Sequence, residues 1–111
     1  MQIQTQQPTA GLAVLQLDGR LNMVSAAQLR TCITETVDGG SLRVVVDLSG
    51  VEFMDSSGLG ALIAGLKRAR SQGGDLRITG VTQQVATVLS LTNLDRVLAA
   101  YPTVEAARDG W

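Results

Sequence analysis

The sequence predicts an α/β domain: one antiparallel edge strand, then parallel strands joined through helices, about four to five strands in a mixed, mostly parallel sheet. Three observations carry that expectation. The run Val44-Val45-Val46 continues to Leu48 with Asp47 alone breaking it, the pattern of a central strand with little contact with water. After a short loop the period changes, and Leu59, Leu62, Ile63, Leu66 and Ala69 recur at helical spacing. Strand-like and helix-like stretches alternate along the rest of the chain, as crossover connections require. The 111 residues make one domain, residues 1–111, large enough to bury roughly 65 % of its unfolded surface and fold without staples.

Taken in order, Gln2 to Gln7 alternates weakly and reads as an edge strand, ended by the turn residues Pro8-Thr9-Ala10-Gly11. Leu12 to Leu17 is strongly apolar, and the short link makes it antiparallel to the first strand, with Asp18-Gly19 as its end. A loop through Arg20-Leu21-Asn22-Met23-Val24 leads to Ser25-Ala-Ala-Gln28, a capping-box pattern that starts a helix at about Ala26. Ala26, Leu29, Ile33 and Val37 form its buried stripe, Cys32 lies near it, and Gly39-Gly40 ends it. The central strand and second helix follow, closed by Gly73-Gly74, with Lys67, Arg68 and Arg70 suiting the dipole near the helix end. Asp75 to Val81 alternates, Leu76 and Ile78 facing one way and Arg77 and Thr79 the other, which implies a wet face on this strand. Thr82 caps a third helix carrying Val85, Val88 and Leu89 and ending near Asn93. Leu94, Val97 and Leu98 continue the core, and Pro102-Thr103 opens a last short helix through Arg108.

Composition narrows the function. A net charge of −1 with no basic run gives no footprint for nucleic acid or for an anionic membrane surface. The single cysteine cannot form an internal disulfide, and with no histidine there is no Cys/His metal cluster, so the sequence calls for no metal and no cofactor, and a reducing cytoplasm fits best. The N-terminal residues lack the basic and apolar regions of a signal peptide, and no apolar run reaches membrane-spanning length. A serine hydrolase needs a base, usually histidine, and Lys67 stands too far along the helix from Ser57 to substitute. Asp47, Glu52 and Asp55 fit strand-end, loop and cap roles without a two-carboxylate mechanism. Gly58-Leu-Gly60 lacks the lysine and the spacing of a phosphate-binding loop. An enzyme is therefore not expected.

The stretch that remains to be explained is Asp55-Ser56-Ser57-Gly58 at the mouth of the second helix. Any of Asp55, Ser56 and Ser57 has the side chain of an N-cap. Gly58, Gly60 and Gly65 each cost about 0.5–1 kcal/mol against alanine if interior to a helix, so they serve close packing or leave a hydroxyl open to a large partner. The contiguous segment Asp47-Leu-Ser-Gly-Val-Glu-Phe-Met-Asp-Ser-Ser-Gly-Leu-Gly-Ala-Leu62 resembles the signature of the STAS domains, most closely the bacterial anti-sigma-factor antagonists. The resemblance extends from about Ile3 to Arg108 and implies helices mainly on one face of the sheet. It implies a phosphorylation site at Ser57, acted on by an anti-sigma factor that is itself a serine kinase and reversed by a serine phosphatase. It also implies a partner-binding surface of Asn22, Asp55, Ser56, Ser57, Gly58, Leu59, Gly60 and Leu62. Gly19-Arg-Leu-Asn22 resembles a second loop of that site, with asparagine where the family commonly has aspartate. The alternative is a STAS adaptor subunit of a phospholipid-transport or stress-signalling complex, in which Ser57 is never modified.

Overall fold

The computed structural model describes residues 1–111. Ten elements follow one another: β1 Gln2–Thr9, β2 Leu12–Leu21, α1 Met23–Asp38, β3 Arg43–Met54, α2 Ser56–Ser71, β4 Asp75–Thr79, α3 Gln83–Leu91, a 3-10 turn Leu94–Arg96, β5 Ala100–Tyr101 and α4 Val104–Arg108. They build a five-stranded sheet whose strand order is the chain order, β1-β2-β3-β4-β5. β1 is antiparallel to β2, and the remaining pairs are parallel.

Because the order never reverses, crossovers of one hand put successive helices on the same side of the sheet. The main core lies there. Leu15 and Leu17 of β2, Val44, Val46 and Leu48 of β3, and Leu76 and Ile78 of β4 meet Leu29 and Ile33 of α1, Leu62 and Leu66 of α2, and Val85 and Leu89 of α3. The apolar stripes expected for α1 and α2 are those buried, with Ile63 alone left half-exposed. Both helices end in the same hydrogen-bonded motif. Gly40 and Ser41 donate to Val37 and Thr36, and Gly73 and Gly74 to Arg70 and Ala69, with Gly40 and Gly73 at φ +101° and +85°.

The opposite face is not wet at β4, contrary to the alternation read from Arg77 and Thr79. α4 folds over it, and Leu12, Val14 and Val45 pack with Ala107, Tyr101, Val104 and Trp111 into a second, smaller cluster. Arg77 lies between two rings, 5.2 Å from the Tyr101 centroid and 4.0 Å from that of Trp111. Its Nη1 donates to the carbonyls of Ala107 and Asp109. A guanidinium is weakly hydrated and stacks on aromatic faces, so it can serve as the floor under a short helix.

Strand ends and one core position differ from the sequence expectation. β2 runs to Leu21 rather than stopping at Asp18-Gly19, and β3 runs to Met54, absorbing the segment read as a loop. Irregularities in the β2–β3 register between Gln16 and Asp18 and between Gly19 and Arg20 break the alternation that would reveal a strand. Val97 is exposed rather than part of the core, whereas Leu98 is fully buried. The two-residue β5 has no sequence counterpart.

Candidate functional site

Parallel strands end on the same side, so the loops leaving β2, β3 and β4 converge at one edge of the sheet together with the N-termini of α1, α2 and α3. Leu21 and Met54 are register partners. The residue after each, Asn22 and Asp55, is an N-cap, so two helix starts stand side by side, tied by a backbone bond from Asp55 N–H to Leu21 C=O of 3.2 Å.

Asn22 caps α1, which corrects the expectation that Ser25 caps a helix beginning near Ala26. Asn22 Oδ1 accepts from the N–H groups of Val24 and Ser25 at 3.1 and 3.2 Å, while Ser25 Oγ accepts from Asn22 N–H at 2.9 Å. The box is therefore Asn22 with Ser25, one turn earlier than Ser25 with Gln28: Ser25 Oγ accepts from Asn22 N–H behind it and donates to the Arg20 carbonyl at 2.6 Å, while the Gln28 side chain reaches the Met1 carbonyl instead of Ser25 N–H. Starting the helix at Met23 has a consequence that the sequence reading did not foresee. Met23 and Val24, in its first turn, face solvent with 74% and 81% of their surface exposed.

At the second helix start, Asp55 Oδ1 accepts from Gly58 N–H at 3.0 Å and supplies the cap. Neither serine hydroxyl hydrogen-bonds within the protein, and no buried polar side-chain atom is without a partner, so both hydroxyls are open to solvent. Ser56 is exposed, and Ser57 is half-buried in an open groove of about 300 Å³ lined with Met23, Ala26, Ala27 and Arg30. The remaining residues of the expected surface separate by burial. Gly58, Leu59 and Leu62 are buried against the sheet and form the underside of the helix start, while Asn22, Asp55 and Gly60 reach its outer side.

The glycines also separate. A Cβ at Gly58 would lie 2.6 Å from the Leu21 carbonyl oxygen, and one at Gly65 2.7 Å from Ile33 Cδ1, so both serve close packing. At Gly60 the nearest atom would be Arg30 Nη2 at 3.5 Å, and this position is open.

The edge of β3 beyond Leu48 has a second support. β4 pairs with β3 only as far as Asp47 opposite Thr79, so the last turns of β3 have no strand on that side. The Gln84 carboxamide of α3 takes the strand's place at Met54, accepting from its N–H at 2.8 Å and donating to its carbonyl at 2.9 Å. It fixes the peptide immediately before Asp55, and no local pattern in the sequence announces this contact.

The profile of the STAS domain family matches residues 2–107. The anti-sigma-F factor antagonist RsfB of Mycobacterium tuberculosis is 31% identical over 100 residues, which span 90% of this chain and 81% of that one. The anti-sigma F factor antagonist of Paenibacillus polymyxa is 26% identical over 92 residues, 82% and 79% of the two chains. Among solved structures, an anti-sigma factor antagonist from Mycobacterium paratuberculosis superposes with a TM-score of 0.82 at 29% identity, covering 96% of this chain and 91% of that one. No helix here is long and apolar enough to cross a membrane.

Proposed function

The chain belongs to the STAS domain family, and from that premise we propose that it is an anti-sigma factor antagonist switched by phosphorylation of Ser57. In its unmodified state the surface formed by Asn22, Met23, Val24, Asp55, Ser56, Ser57 and Gly60 docks an anti-sigma factor, which then releases its sigma factor. Gly58, Leu59 and Leu62 hold that surface from beneath. The anti-sigma factor is a serine kinase: it transfers the γ-phosphoryl group of ATP to Ser57 Oγ, whose proton is lost as ADP forms. A serine phosphatase returns the hydroxyl.

The observation that carries this reading is the division of labour at the start of α2. Asp55 does the capping, so Ser57 is free of any structural bond and shares a groove with the exposed side chain of Met23, whose chain neighbour Val24 is exposed as well. Such side chains beside an open hydroxyl suit a partner surface better than a helix end made only for stability. A phosphate adds about −1.5 to −2 charges, which the N-terminus of a 16-residue helix tolerates through its dipole and free N–H groups. The fold then survives modification, and the switch acts at the interface through bulk and the cost of desolvating the phosphate.

The test is incubation with ATP and kinase-type anti-sigma factors, read by intact mass and by complex formation beside a Ser57→Ala control. One phosphate, absent from the control and accompanied by loss of the complex, is the expected result. An unmodified protein that instead forms a stable complex with a transport or scaffold subunit overturns the switch in favour of an adaptor.

A further inference from the structure

We propose that Arg30 is the intramolecular ligand of the Ser57 phosphate, an inference that rests on Ser57 being the modified residue. Arg30 is the one charged side chain lining the groove that contains Ser57. Its guanidinium projects from α1 across to α2, where Nη2 lies 3.5 Å from the place a Cβ on Gly60 would occupy. Gly60 is three residues beyond Ser57, so the two share a helix face about 5–6 Å apart. The guanidinium therefore lies against this face of α2, where position 60 carries no side chain to cover it.

Arg30 is also uncommitted. The ion pairs of the molecule are Arg68 with Asp38 and Arg70 with Asp75, and Arg30 takes part in no side-chain hydrogen bond. Its donors face water in the unmodified protein. A phosphate on Ser57 would present acceptor oxygens in the geometry that a guanidinium fork matches with two parallel bonds. The resulting pair spans α1 and α2, and it closes over the floor of the groove between Met23 and Ser57. A partner would then meet a covered groove as well as a new charge, and the paired phosphate would be slower to leave.

Genetically encoded phosphoserine at position 57 tests this without any kinase. The second ionisation of that phosphate is followed by phosphorus NMR in the otherwise native chain, in Arg30→Gln, and in Arg43→Gln, which removes an equal charge at the opposite end of β3. The expected result is a pKa about half a unit higher in Arg30→Gln than in the native chain, with Arg43→Gln unchanged. Coincident titrations in all three, or equal shifts in both variants, overturn the pairing. Because the phosphate is placed during synthesis, a shift confined to Arg30→Gln upholds the pairing even if no kinase modifies Ser57, a result that would remove the switch alone.

Discussion

At Gly58 one methyl group separates two explanations of the same residue. A glycine beside a serine can expose the hydroxyl or permit a close approach, and the sequence favours neither. The structure does, because the atoms that a Cβ would strike belong to Leu21, on a neighbouring strand distant in the chain. Gly58→Ala should therefore cost about 1–3 kcal/mol through overpacking. Gly60→Ala, whose nearest neighbour is the movable end of Arg30, should gain about 0.5–1 kcal/mol from helix propensity. Urea denaturation of the two variants reads the difference, and equal effects would mean that the contact with Leu21 is not what selects glycine at 58. Asn22 was likewise singled out in the sequence for a partner surface and not for the cap that it forms. The pattern Ser25-x-x-Gln28 satisfies the rule for a helix start, and only the bond that Ser25 Oγ accepts from Asn22 N–H shows that its hydroxyl faces back toward an earlier cap.

The helices were the most readable elements, because their buried stripes repeat on one face and the two long ones, α1 and α2, are followed by glycine pairs. The strands were readable only where both neighbours press on them. From Val44 to Leu48, β3 has β2 and β4 beside it and is continuously apolar but for Asp47. From Ser49 to Met54 it pairs on one side, its composition resembles a loop, and Gln84 completes the other edge at Met54. Replacing that side chain tests how much the site depends on it. Gln84→Leu leaves the Met54 N–H and carbonyl without their partners and should destabilise the domain by about 1–3 kcal/mol. It should also slow phosphorylation of Ser57 by an anti-sigma kinase, because the peptide that positions Asp55 is released. Unchanged kinetics in a variant that melts earlier would confine Gln84 to a purely structural role.

For the molecule as a whole, the principal layer of helices was foreseen and the second layer was not. α4 has five residues, too few for a periodic signal, and Arg77 in an alternating strand reads as a solvated side chain until Tyr101 and Trp111 are found around it. This layer closes the face made by Leu12, Val14 and Val45. Trp111→Ala should lower stability by about 1–2 kcal/mol through lost apolar contact and the lost partner of Arg77. It should leave the rate of Ser57 phosphorylation unchanged, since the α2 start packs on the other face. A thermal melt and an intact-mass time course on the same sample separate the two effects.

The agreement between strand order and chain order matters before the protein is ever complete. During translation each new strand after the first emerges to find its pairing edge already made, and none has to wait for a segment still inside the ribosome. Each strand that docks in turn covers the edge its predecessor left open, which limits the unpaired edge exposed at any stage. By the time Gly74 has left the exit tunnel, β1 to β3, α1 and α2 are all available, and the groove at Ser57 can assemble while the C-terminal third is still being synthesised.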